Sequence, residues 1–324
     1  MRDIQLHTGI LLVLLCLCSC VSHSQKNTQV KKELPPYTIQ TTYEKYKEKY
    51  PFIDPIQITD TTGVTVKKNV VYHNTSTSSL CFDVYFSSVT TPKSLLPVVL
   101  LIHGGGWVVG ERQNQSIMAT HLAKNGYVAI PVSYSLSKEA TYPAAVIDIK
   151  HAIQYIREHE NQLHADGNHI AILGTSAGAQ LATLVGVTPN SSIFQTTSKT
   201  SDAVQSIINI DGIVSFTHPE SEEGTIAAQW LGATKIENRN IWEQASPLNY
   251  VTQHTPSILF INSSQPRFHA GRDDMITQLN SYKIYTETHT LEGAPHSFWL
   301  LHPWYEPTLS YVLAFLNKTL KHSS

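Results

Sequence analysis

Residues 169–187 read HIAILGTSAGAQLATLVGV. Two structural periods meet inside this stretch. HIAILGT (169–175) is an apolar run of strand length with no alternating polar face, as a strand buried on both sides reads. AGAQLATLVGV (177–187) is a helical run of small residues, suited to close packing on a sheet. Between them, Gly174-Thr175-Ser176-Ala177-Gly178 matches the pattern Gly-x-Ser-x-Gly. In that context the chain turns sharply from strand to helix, and small neighbours make the turn possible. The Ser176 oxygen is then lifted clear of the sheet, at a helix N-terminus that favours developing negative charge. The five-residue pattern alone is weak; with a strand before it and a helix after it, it marks Ser176 as a candidate nucleophile.

Outward from this turn the chain alternates strand and helix signals. Strands are expected at 64–73 and 80–88, as an opening antiparallel pair, and then at 96–103, 127–134, 169–175, 204–211, 256–263 and 285–291. Helical periodicity covers 116–126, 142–163, 177–187, 270–282 and 307–320. Such alternation predicts an α/β fold with a mostly parallel central sheet flanked by helices on both faces. Residues 217–255 show no clear period and read as an irregular insertion over the carboxyl edge of the sheet.

The chain has 324 residues, 41% hydrophobic and 15% charged, with a net charge of −2. That suits one domain with a large core and leaves no electrostatic footprint for nucleic acid. Sixteen His residues are present, but neither His-Glu-x-x-His nor Cys-x-x-Cys occurs, so no metal site is expected.

Two further motifs complete a chemical constellation. LPVVLLIH (96–103) runs into Gly104-Gly105-Gly106-Trp107. Glycines there let backbone N–H groups of Gly104 and Gly105 face a substrate oxygen, with the Ala177 N–H as their partner, as an oxyanion hole requires. The loop lacks the Lys and Ser/Thr of a phosphate-binding loop. Gly293-Ala294-Pro295-His296 follows the last strand, where a general base belongs in this chain order.

HGGGW, Tyr134-x-Leu136, YPAAVIDIKHAIQYIRE, GTSAG and PHSFW, in this order, resemble the α/β-hydrolase superfamily. More closely they resemble its acetyl-esterase and feruloyl-esterase-like branch, related to hormone-sensitive lipase. The resemblance covers about 60–320 and implies carboxylic ester hydrolysis without cofactor or metal. It also implies an acid just after the strand at 256–263, yet that slot holds Gln265-Pro266 in INSSQPRFHAGRDDMITQL (261–279). Gln carries no charge with which to support an imidazolium. Asp211 ends the preceding strand and is one candidate for the acid; Asp273 or Asp274, in the first turn of a helix, is another, and a Ser–His pair without acid is the third.

For substrate, Trp107, Trp299, Trp304 and Tyr305 stand near the motifs, and flat aromatic faces suit sugar rings. Arg267, His269 and Arg272 are candidates for holding a carboxylate, as in a uronic acid. The expectation is a serine esterase acting on an acyl or methyl ester of a plant cell-wall oligosaccharide, such as an acetyl, methyl or feruloyl ester. A peptidase, a lipid esterase, and a non-catalytic binding protein on the same fold are the alternatives.

The N-terminus reads as a targeting segment. MRDIQLHTGILLVLLCLCSC has Arg2, an apolar run from Ile10 to Leu17 too short to span a bilayer, and an ending Leu17-Cys18-Ser19-Cys20. That ending resembles a bacterial lipobox, with residues 1–19 as signal peptide and Cys20 lipidated; plain cleavage nearby is the alternative. Residues 20–40, rich in Ser, Gln, Lys and Thr, read as a tether to a catalytic domain at 41–324. The chain is thus expected at the bacterial cell envelope, touching the membrane only through its anchor. With Cys16 and Cys18 removed, Cys81 is left without a disulfide partner. Replacing Cys20 by Ala is expected to abolish lipid attachment, since stable anchoring rests on covalent chains. Detergent phase partitioning checks this; an unchanged distribution would overturn the lipobox reading.

Overall fold

The computed structural model describes residues 34–58, 60–76, 78–89 and 95–321. The signal, lipobox and Cys20 expectations lie outside the described residues. The strands are β1 (Asp54–Pro55), β2 (Val64–Asn74), β3 (Ser79–Ser87), β4 (Leu96–Ile102), β5 (Val128–Val132), β6 (Ala165–Thr175), β7 (Ser206–Ile210), β8 (Ser257–Ser263), β9 (Thr286–Leu291) and β10 (Leu301–His302). The helices are α1 (Ile39–Tyr46), α2 (Ser116–Lys124), α3 (Ala144–Glu158), α4 (Glu160–Leu163), α5 (Ala177–Val187), α6 (Thr225–Leu231), α7 (Arg239–Gln244), α8 (Arg272–Ser281) and α9 (Tyr305–Thr319).

Eight strands form one sheet in the order β2-β3-β5-β4-β6-β7-β8-β9. The β2–β3 and β3–β5 pairs are antiparallel and all later pairs parallel. The central strands are apolar on both faces because both faces are covered. Val98, Leu100 and Ile102 of β4 face the layer of α3, α5 and α8, while Val99 and Leu101 face the layer of α2 and α9. The same alternation puts Ile207 and Ile208 of β7, and Ile258 and Leu259 of β8, on opposite sides. Each fully buried side chain of this kind contributes about 1.5–3 kcal/mol relative to exposure.

The strand order turns back at β4, which pairs with β5 on one side and β6 on the other. A crevice opens at such a switch point, outside the carboxyl ends of the strands. The glycine loop after β4 and the Ser176 turn after β6 both lie there.

All eight expected strands form. Three features differ from expectation. The compact unit begins at Pro35, not at residue 41. Thr38 caps α1 reciprocally with Thr41, and Asn114 Nδ2 donates to the Tyr37 carbonyl, so residues expected in the tether are built into the fold. The 142–163 helix is divided into α3 and α4 at His159. The 217–255 insertion contains α6 and α7, whose seven and six residues are too short to display a period.

Lys150 of α3 is wholly buried. Its Nζ donates to the Thr188 carbonyl at 2.5 Å and to Asp202 Oδ2 at 3.1 Å, while Asp202 Oδ1 accepts the Asn190 N–H at 2.7 Å. Burial pushes the ammonium pKa down, and Asp202 opposes that shift. Lys150→Met is expected to leave the Asp202 charge buried without its cation and to cost about 3–5 kcal/mol in urea unfolding. A loss below about 1 kcal/mol would show that this pair does not fasten the 188–202 crossing.

Candidate active site

Ser176 stands between β6 and α5 with φ 54° and ψ −125°, a strained conformation for a residue with a side chain. The turn is held from both sides. Its N–H continues the β6–β7 ladder by donating to the Ile210 carbonyl at 2.9 Å, and its carbonyl accepts from Ala179 and Gln180. Gly178 is required by close approach: a Cβ there would meet the Ile102 and His103 carbonyl oxygens at 2.4 Å.

Asp211 repeats this geometry one strand over. It follows β7, has φ 53°, and its N–H donates to the Ile261 carbonyl at 2.9 Å. His296, from the loop after β9, joins the two. Its Nε2 lies 2.8 Å from Ser176 Oγ and its Nδ1 lies 2.7 Å from Asp211 Oδ2. A carboxylate accepts only, so Nδ1 carries the hydrogen and Nε2 presents its lone pair to the Ser176 hydroxyl. The structure therefore brings Ser176, His296 and Asp211 into one continuous relay.

The sequence did not single out the brace behind Asp211. Ser263 ends β8, and its N–H and hydroxyl donate to Asp211 Oδ1 and Oδ2 at 2.9 and 2.8 Å. Asp211 is 1% exposed, so these bonds replace the water it has lost. The empty acid slot is occupied by a 3-10 turn, Pro266–His269, which Gln265 opens by accepting the Phe268 N–H through its carbonyl. Asp273 and Asp274 point elsewhere. Asp273 accepts from Arg272 Nε at 2.8 Å, and Asp274 lies 3.4 Å from His218 Nε2.

The glycine loop lies directly over the relay. A Cβ on Gly104 would stand 3.0 Å from the Ser176 Cβ, and the Gly105 carbonyl accepts from Val108 and Val109 in a tight turn. The Ala177 N–H opens α5 and has no intrahelical carbonyl to meet. His103 anchors the loop from below. Burial pushes its pKa down to about 4, so the ring is neutral and its Nδ1–H donates to the Gly104 carbonyl at 2.8 Å. Tyr134 stacks on that ring and donates to the His103 carbonyl. With donors beside a serine oxygen and a base on it, this arrangement is able to attack a carbonyl carbon and hold the resulting oxyanion.

The aromatic platform needs correction. Trp107 is 3% exposed, stacks on Trp230 at 4.9 Å, and donates from Nε1 to Gln180 Oε1. Trp299 is also 3% exposed and stands perpendicular to the His296 ring at 5.2 Å. Trp304 packs on Tyr50 and Phe52, and Tyr305 meets His121. These rings seal the core beside the loops, so none offers a free face to a sugar. His269 is buried and Arg272 is spent on Asp273 and Asn262. Arg267 remains half-exposed, 3.2 Å from Glu222. Beside it, burial pushes the Glu223 carboxyl up in pKa, opposed by Arg267 and His296. Among the described residues, no group of three or more His, Cys, Asp or Glu is placed to hold a metal ion.

A family model described as BD-FAE matches residues 82–286, well over half of the chain. Esterase LipQ of Mycobacterium tuberculosis is 26% identical over 205 residues, covering 61% of this chain and 47% of the relative. The chain spans about half the length of the curated relatives it matches. Among solved structures it resembles a truncated carbohydrate esterase from gut microbiota, with a TM-score of 0.65 and 20% identity over 79% of this chain and 97% of that one. Propionate-bound esterase Est2 of Thermogutta terrifontis gives 0.66 and 20% identity, over 80% and 95%. These likenesses show that the fold is that of the α/β hydrolases.

A fluorophosphonate probe, which reports on an activated serine whatever its substrate, is expected to label the wild type. Asp211→Asn is expected to slow labelling by about 10⁴-fold, as loss of the acid does in such a relay. Asp273→Asn and Asp274→Asn are expected to stay within about twofold, being surface changes remote from it. Near-normal labelling of Asp211→Asn would remove that residue from the relay.

Proposed function

The chain belongs to the BD-FAE family, within the α/β-hydrolase superfamily, and from that premise we propose that it is a serine carboxylic ester hydrolase. The observation that carries this conclusion is the unbroken contact from Ser176 Oγ through His296 to Asp211. Ser176 Oγ attacks the ester carbonyl while His296 Nε2 takes its proton. The carbonyl oxygen becomes an anion facing the N–H groups of Gly104, Gly105 and Ala177. Collapse of the adduct expels the alcohol, which leaves with the proton from His296. Water then attacks the acyl-enzyme, giving its proton to His296, and Ser176 recovers it as the acid departs. Asp211 fixes the imidazole tautomer and supports the imidazolium.

We further propose that the ester is carried by a plant cell-wall oligosaccharide. Support comes from the family and from two structural neighbours, the carbohydrate esterase above and a bifunctional GH43-CE protein of Bacteroides eggerthii. With the tryptophans buried, sugar contact falls to the mouth, where half-exposed Arg267 pairs with Glu222 and Glu223 lies within range of the charges of Arg267 and His296. Anchoring at the bacterial envelope through Cys20, on the periplasmic or outer side, fits enzymes that meet such fragments after export.

Turnover of a panel of acetylated, methylated and feruloylated oligosaccharides tests both levels. Ser176→Ala is expected to lose about 10⁴- to 10⁶-fold on every ester the wild type cleaves. At least one sugar ester is expected to give a higher kcat/KM than p-nitrophenyl acetate, because remote binding is used in the transition state. Retained turnover in Ser176→Ala would sink the mechanism. Hydrolysis of simple esters alone would sink only the sugar assignment.

A further inference from the structure

The segment after β8 carries no acid, and what it places against His296 is a ring. Phe268 stacks on the imidazole with centroids 3.6 Å apart and planes 10° from parallel. The Arg267 guanidinium lies 4.6 Å from the Phe268 centroid. One face of Phe268 is taken by His296, so the cation covers the other, where Glu222 holds it. Trp299 stands perpendicular to the imidazole, at 88° and 5.2 Å between centroids. The base is thus fixed from four directions, by Ser176, Asp211, Phe268 and Trp299.

The face of an aromatic ring is electrically negative and attracts a cation laid on it. A neutral imidazole gains little from that face, and an imidazolium gains more. The imidazolium forms as Nε2 takes the Ser176 proton, so the contact strengthens on the way to the transition state. Among the described residues, charged groups near His296 include Asp211 at the end of β7, Glu223 on the segment before α6, and Arg267 behind Phe268 with Glu222 upon it. His269 and Tyr46 lie within electrostatic range of Asp211.

We propose that Phe268 is a positioning residue that supports the His296 imidazolium with its ring face and holds the imidazole in the line from Ser176 to Asp211. This rests on the reading of His296 as general base. The turn after β8, which holds Gln265 where the resemblance implies an acid, thereby takes a share of the electrostatic task, delivered from the face of the ring instead of its end.

The test is the second-order rate of fluorophosphonate labelling of Ser176, followed from about pH 5 to about pH 9 to bracket an imidazole. Phe268→Leu fills the space without a π face. It is expected to lower the plateau by about two- to thirtyfold and to move the acid limb to lower pH, because the proton on His296 is held less firmly. Phe268→Tyr keeps the face and is expected to restore both. The double variant Phe268→Leu/Arg267→Gln is expected to stay shifted, which excludes Arg267 moving inward as the cause. Should the Leu variant not fold, Phe268→Met carries the same expectations. A wild-type plateau and limb in Phe268→Leu would overturn the proposal while leaving the relay standing. Equal labelling of Ser176→Ala, or none of the wild type, would overturn the base itself and this inference with it.

Discussion

The hydrogen-bond ladder of the sheet does not stop where the strands stop, and the site depends on that continuation. Ser176 donates to Ile210 and Asp211 donates to Ile261, each one residue beyond its strand. Both then leave the sheet through a positive φ, at 54° and 53°. Because β6, β7 and β8 are parallel and in register, the proposed nucleophile, the proposed acid and the Ser263 brace stand on three successive strand ends. Their spacing is fixed by sheet geometry, at less cost in ordering than loops of equal precision would require. Only His296 arrives on a loop, and it is the group gripped from most sides.

That register also explains how the acid slot after β8 can hold Gln265. A buried carboxylate is tolerated only when its lost hydration is replaced. At Asp211 the replacement comes from the Ser263 N–H and hydroxyl, with His296 Nδ1–H as the third donor. β8 therefore contributes hydrogen bonds in place of a charge. A second carboxylate at 265 would stand beside the first and raise the cost of ionising both. With the proposed acid at the end of β7, the turn after β8 is free to carry a different group, and here it carries Phe268.

What was legible in the sequence follows from the range of the interactions that write it. The eight strands and the Ser176 turn were legible because they are local: continuous apolar runs, small residues at a sharp corner, and a glycine loop. Asp211 was legible as an alternative because it ends an apolar strand, although the sequence left Asp273 and Asp274 open beside it. Ser263 and Phe268 were not, since nothing nearby in sequence says that a strand-end serine will meet the carboxylate of the neighbouring strand, or that one phenylalanine will find the base. The tryptophans misled for the opposite reason. Proximity in sequence to His296 and to the glycine loop says nothing of exposure, and Trp107 and Trp299 are sealed in. The same holds for the start of the fold, where a polar composition hid the cap at Thr38.

Two long-range links show how the loops are kept at that precision. Trp107, on the glycine loop, donates to Gln180 of α5, and Gln180 donates in turn to the Ala245 carbonyl at the end of α7. The glycine loop, α5 and the insertion are thereby joined through one buried amide, whose two polar ends are both used. On the other side, Tyr37 donates to the hydroxyl of Ser297, the residue after His296, which itself holds φ 72°. A buried amide left half-satisfied costs more than the bond it loses, so a change at Gln180 would be felt by Trp107 and Ala245 together. The crevice is accordingly bounded by elements that cannot shift independently. Its shape is a property of the whole carboxyl edge.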